Sequence, residues 1–118
     1  MKRAIFSAAL AAAMLAATVA EAHPRLMTVA PTANASVAAP REVRLTFSEP
    51  LVARFSTLQV RDQNGRFVRT GRTALTAGGR QLAAPLPRLA PGRYRVVWRA
   101  VSQDTHRVVG AYNFAVRG

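Results

Sequence analysis

From residue 93 to residue 101 apolar and arginine side chains alternate: Tyr94, Val96, Trp98 and Ala100 fall on one parity, and Arg93, Arg95 and Arg99 on the other. A period of two places successive side chains on opposite faces of an extended strand and gathers them on no single face of a helix. Such a strand hides its apolar face only against a second sheet. The segment therefore commits the chain to layered β-structure, and Pro91-Gly92 marks where the strand opens. Residues 42–48 repeat the pattern with Val43, Leu45 and Phe47, and residues 57–61 repeat it with Leu58 and Val60. The last strand, residues 108–116, sets Tyr112, Phe114 and Val116 on one side.

The connections agree with this reading. Residues 25–29 form a short first strand ending at Pro31, and residues 31–40, small, polar and proline-bounded, form a loop. Asn64-Gly65 predicts a hairpin into residues 66–69, because both residues tolerate positive φ. Gly78-Gly79 predicts a turn between short edge strands, and Pro85 and Pro87 forbid a regular central strand there. No segment after residue 22 sustains a helical period. The expected fold is all-β, a single small Greek-key β-sandwich or barrel of the immunoglobulin-like kind, with Trp98 and Tyr112 in its core.

Residues 1–22 read as an export signal. Met1-Lys2-Arg3 is a positive start, residues 4–19 are apolar and alanine-rich, and Ala20-Glu21-Ala22 is an A-x-A cleavage pattern. The apolar run falls short of the roughly 20 residues a spanning helix needs, so cleavage between Ala22 and His23 is expected, not a membrane anchor. The mature chain, residues 23–118, would be one periplasmic domain, not membrane-spanning. It has no cysteine, which excludes disulfides and thiolate metal sites.

Setting aside Lys2, Arg3 and Glu21 leaves fifteen basic residues, all arginine, against four acidic ones, a formal +11. In a cytoplasmic protein that balance would indicate nucleic acid. Export argues against nucleic acid, and the arginines alternate along strands without forming a block. They read first as a solvated basic face, and second as a surface for anionic membrane or an acidic partner.

Two histidines remain. His23 would be the first residue of the processed chain, and His106 lies in the polar turn Ser102-Gln103-Asp104-Thr105-His106-Arg107. An N-terminal histidine can chelate one ion through its α-amine and Nδ1. Pro24, which has no backbone N–H, blocks the mode in which Cu(II) displaces the next amide proton. His106 adds a nitrogen and Asp104 an oxygen, either as a ligand or as the partner that orients an imidazole. Three nitrogens and one oxygen without sulfur suit one Cu(II) ion; imidazole also suits zinc, although copper leads in the usual affinity order.

Over nearly its whole mature length the chain resembles the CopC family of periplasmic copper-binding proteins. The resemblance rests on His23-Pro24-Arg25-Leu26, on Val43-Arg44-Leu45-Thr46-Phe47-Ser48-Glu49-Pro50, on Leu89-Ala90-Pro91-Gly92-Arg93-Tyr94-Arg95-Val96-Val97-Trp98-Arg99, and on Val101-Ser102-Gln103-Asp104-Thr105-His106-Arg107-Val108-Val109-Gly110. It implies a Greek-key sandwich or barrel with Cu(II) ligands at His23, Asp104 and His106, Glu49 in a supporting or weakly ligating place, and an inner-membrane partner of the CopD kind. Two departures stand out. The family's Asp-Gly-His-Pro is Asp104-Thr105-His106-Arg107 here, and residues 51–60, where some members carry methionines for monovalent copper, contain neither methionine nor histidine. A Cu(II)-only carrier without enzymatic turnover is therefore expected, acting in copper homeostasis or resistance. The rivals are a small histidine-brace copper oxidase and a metal-free basic adhesive module.

Overall fold

The computed structural model describes residues 23–118; the expected export signal lies outside the described residues. Among these residues eight strands follow in order: β1 (Leu26–Ala30), β2 (Ser36–Val37), β3 (Glu42–Phe47), β4 (Thr57–Asp62), β5 (Ala74–Thr76), β6 (Gln81–Pro85), β7 (Gly92–Val101) and β8 (Arg107–Val116), with a 3-10 turn at Ala53–Phe55. They build two four-stranded sheets, ordered β1-β3-β6-β5 and β2-β8-β7-β4. This is the immunoglobulin-like arrangement, four strands facing three, with β2 added in parallel along β8. Of the two expected closures, sandwich and barrel, the chain forms the sandwich.

Alternation becomes burial where it was expected. Val43, Leu45 and Phe47 of β3 are buried against Leu58 and Val60 of β4, and Tyr94, Val96, Trp98 and Ala100 of β7 complete the layer. Phe114 and Val116 of β8 are also buried, whereas Tyr112 is only half-buried at the edge of this core. Burial pushes the Tyr112 hydroxyl up to about 12. The Tyr94 ring stacks on Phe114 with centroids 5.6 Å apart. Its hydroxyl donates to the Ala90 carbonyl at 2.6 Å, so a tyrosine at the start of β7 pins the crossover from β6, as in a tyrosine corner.

Three local expectations needed correction. The loop at 31–40 contains β2, too short to show a pattern and held by its pairing with β8. The Asn64-Gly65 turn forms, but only Gly65 takes positive φ, at 82°. Asp62 accepts from the amides of Asn64 and Arg66, which draws the chain into a wider turn, and afterwards a single bridge, Arg61 to Phe67, replaces the expected second strand. Finally, β5 is an edge strand but β6 is central, between β3 and β5. Pro85 is tolerated because it is the last residue of β6, opposite Glu42 at the start of β3.

Trp98 requires a glycine across the strand. Gly110 is its register partner on β8, and a Cβ at Gly110 would lie 2.3 Å from Trp98 Cζ2. Gly110→Ala is therefore expected to cost about 1–3 kcal/mol through overpacking, measured as a lower urea midpoint. An unchanged midpoint would mean that the indole moves aside freely.

Candidate metal centre

Residues 48–52 cross from one sheet to the other and tie two distant segments together. Ser48 Oγ accepts from the Arg25 amide at 2.8 Å, and the Ser48 amide donates to the Arg25 carbonyl at 2.8 Å. This clamp holds the start of β1, where Pro24 is fully buried and His23 exposed. Three residues on, Leu51 forms an antiparallel bridge with Ser102, and the Val52 amide donates to the Val101 carbonyl at 2.8 Å. The chain thus fixes His23 from one sheet beside the β7–β8 turn of the other.

That turn is a close copy of the one at residues 62–66. In the first, Gly65 N–H donates to Asp62 C=O and Asp62 N–H to Arg66 C=O, both at 2.9 Å; in the second, Thr105 N–H donates to Ser102 C=O and Ser102 N–H to His106 C=O, again both at 2.9 Å. The fourth residue is left-handed in each, Gly65 at φ 82° and Thr105 at φ 73°. Thr105 thus takes in this turn the left-handed backbone that Gly65 takes in the other. A β-branched residue in this region is strained.

The turn brings His106 to His23. Their ring centroids lie 4.7 Å apart at an interplanar angle of 79°, an edge-to-face contact. Asp104 Oδ1 stands 3.2 Å from His106 Nδ1. Nδ1 is shielded from solvent yet has no aligned hydrogen bond, so a nitrogen with a free lone pair or proton is left facing a carboxylate. Buried Ser102 donates from Oγ to Asp104 Oδ1. That hydrogen bond first, and the His106 ring second, hold the Asp104 carboxyl below the usual carboxylate range.

His23, Asp104 and His106 therefore share one end of the sandwich. As the side chains stand, no three His, Cys, Asp or Glu groups among the described residues converge at coordination spacing. The His23 nitrogen is also an amide, because Ala22 precedes it. The donor types fit a nitrogen-rich metal, and the amine would become available only on cleavage. Glu49 is half-buried within the 48–52 strap, and among the described residues it forms no ion pair or side-chain hydrogen bond with the histidines or Asp104. The positioning groups that the sequence reading missed are Ser48 and Ser102. Ser48 already lay within the noted Ser-Glu-Pro motif, where the acid drew the attention.

A model of the CopC domain matches residues 26–117. The chain belongs to the CopC family. Copper resistance protein C of Pseudomonas syringae pv. tomato is 34% identical over 99% of this chain and 98% of its own length. Among solved structures, PcoC, a methionine-rich copper resistance protein from Escherichia coli, superposes with a TM-score of 0.75 at 36% identity, covering 81% of this chain and all of that one. CopC from Methylosinus trichosporium OB3b gives the same TM-score at 35% identity, covering 80% of this chain and 94% of that one. Unlike the methionine-rich PcoC, this CopC chain has a single methionine among its described residues, Met27 on β1, 55% exposed.

Thr105→Gly should raise stability by about 1 kcal/mol or less, since relief of the left-handed strain exceeds the entropy glycine adds to the unfolded chain; a melting curve measures it. Ser102→Ala should raise the Asp104 pKa toward an ordinary carboxylate value. The folded-state value is depressed, so the stability linked to Asp104 is present above the ordinary carboxylate range and lost as pH falls through the depressed value. In the variant less stability is linked to Asp104 and its loss is complete at a higher pH, and an NMR titration of the Asp104 carboxyl carbon would show the raised midpoint.

Proposed function

We propose that this CopC chain is exported to the periplasm, cut after Ala22, and there binds one Cu(II) ion as cargo, buffering or delivering it without turnover. The observation that carries the reading is the edge-to-face contact of His23 and His106, separated by most of the chain and the only two histidines it has. Copper resistance proteins among its relatives support the choice of metal.

In this reading His23 supplies its freed amine and Nδ1, His106 an imidazole nitrogen, and Asp104 a carboxylate oxygen. Asp104 also faces His106 Nδ1, as carboxylates that orient ligating imidazoles do. Ser102 keeps that carboxylate ionised. Glu49 serves the strap and not the metal. Residues 51–60 offer no thioether, and Met27 stands exposed on β1. Monovalent copper, which needs soft ligands, finds no cluster of them among the described residues. An inner-membrane transporter of the CopD kind is the proposed recipient.

The test is electron paramagnetic resonance of the processed chain with one equivalent of Cu(II), which should show nitrogen-rich tetragonal coordination. Adding one residue before His23, or making His106→Ala, should weaken Cu(II) by on the order of 100-fold or more, since loss of an outer partner alone costs about 10–100-fold. Equal affinity in the extended chain would refute the ligand assignment. Affinity should also fall with pH, because protons compete for amine and imidazole.

A further inference from the structure

The arginines that alternate along the sequence gather on one face of the fold. Arg93, Arg95 and Arg99 point outward from β7, Arg61 from β4 and Arg107 from β8. Arg61 and Arg95 are direct cross-strand partners, a like-charge pairing that disfavours the sheet. No acidic residue occupies an outward position on these strands. Asp62, at the end of β4, spends its carboxylate on the amides of Asn64 and Arg66. The opposite sheet differs: Arg44 on β3 pairs with Glu42, and its neighbours Thr46, Gln81 and Thr76 hydrogen-bond to one another. Arg61 donates to the Gly65 carbonyl and Arg95 to Asn113 Oδ1, but among the described residues none of the five has an acidic partner, and gathering them on one exposed sheet face is a cost that the packing itself does not explain.

We infer that the outer face of the β2-β8-β7-β4 sheet docks on an anionic phospholipid surface. The face is broad and shallow. A recess of about 1030 Å³ at one end is lined by Arg61, Arg93, Arg95, Asn34, Asn113 and Asp62, whose carboxylate is taken up by the amides of its own turn, and a hollow of about 310 Å³ at the other lies among Phe55, Arg99, Thr105 and Arg107. Guanidinium groups take phosphate oxygens two at a time. Phe55 and Val109, 46% and 70% exposed, supply apolar side chains at the end where the face meets the β7–β8 turn, suited to the interfacial layer of a bilayer. Arg61, although its guanidinium lies 4.1 Å over the Phe67 ring, keeps its charge. A folded acidic protein would need matching relief at fixed points, whereas a lipid surface needs only charge on a flat face.

The experiment uses the processed chain without copper, so its outcome is independent of the metal reading. Co-sedimentation with vesicles of phosphatidylcholine containing about 30% phosphatidylglycerol is compared with pure phosphatidylcholine, at low and at physiological salt. Binding is expected only to the anionic vesicles, weakening with salt. Arg93→Gln/Arg95→Gln/Arg99→Gln should reduce the partition coefficient about 100-fold, at roughly tenfold or less per arginine near the surface. Arg69→Gln/Arg72→Gln/Arg88→Gln, which removes equal charge from exposed loops, should reduce it far less. Should the first triple melt at lower temperature, Arg61→Gln/Arg107→Gln on the neighbouring strands must show the same selective loss. Equal loss in the loop triple, or no binding to anionic vesicles, overturns the inference. So does retention on polyglutamate without vesicle binding, which would make the partner an acidic polypeptide.

Discussion

Burial of one face of β7 is the constraint from which the rest follows. The strand pairs with β8 along its whole length and with β4 over six positions, and its inward side chains run from the stack on Phe114 to the indole seated on Gly110. With no cysteine to staple the layers, this apolar contact must supply most of the cohesion, at about 1.5–3 kcal/mol for each large side chain removed from water. The same strand leads directly into the turn that carries Asp104 and His106. Core and site are thus continuous.

The two ends of the candidate centre belong to different sheets, and the sandwich alone would not fix their separation. The 48–52 strap does, by gripping Arg25 with Ser48 and bridging to Ser102 with Leu51. Each link is made by the backbone or by a short hydroxyl side chain, which sets position more tightly than a long charged side chain could. A site assembled in this way inherits the rigidity of both sheets.

Period-two segments made β3, β4, β7 and β8 legible, because burial on a pleated sheet imposes that period. β2 left no trace, since two residues cannot display one, and β6 was misjudged because a proline excludes only the position whose N–H the ladder uses. At Asn64-Gly65 the residue types were right, but the Asp62 carboxylate chose the turn. His23 and His106 could be paired from the sequence only by their rarity and by the family resemblance; nothing local announces their contact. A basic face was legible in the alternating arginines, but not which of them would meet on it. Alternation shows which side of a strand a residue occupies, but neighbouring strands are decided by the order β2-β8-β7-β4.

Pro24 is fully buried while His23, immediately before it, is exposed. Most chain ends fray over several residues. A chain cut after Ala22 would instead be anchored up to its second residue, leaving a single residue free to move. Ordering a residue costs about 1–2 kcal/mol of conformational entropy, and the fold has already met that cost everywhere except at the histidine itself. On the proposed reading, export and cleavage would then produce a nearly finished chelate, held at high local concentration opposite His106.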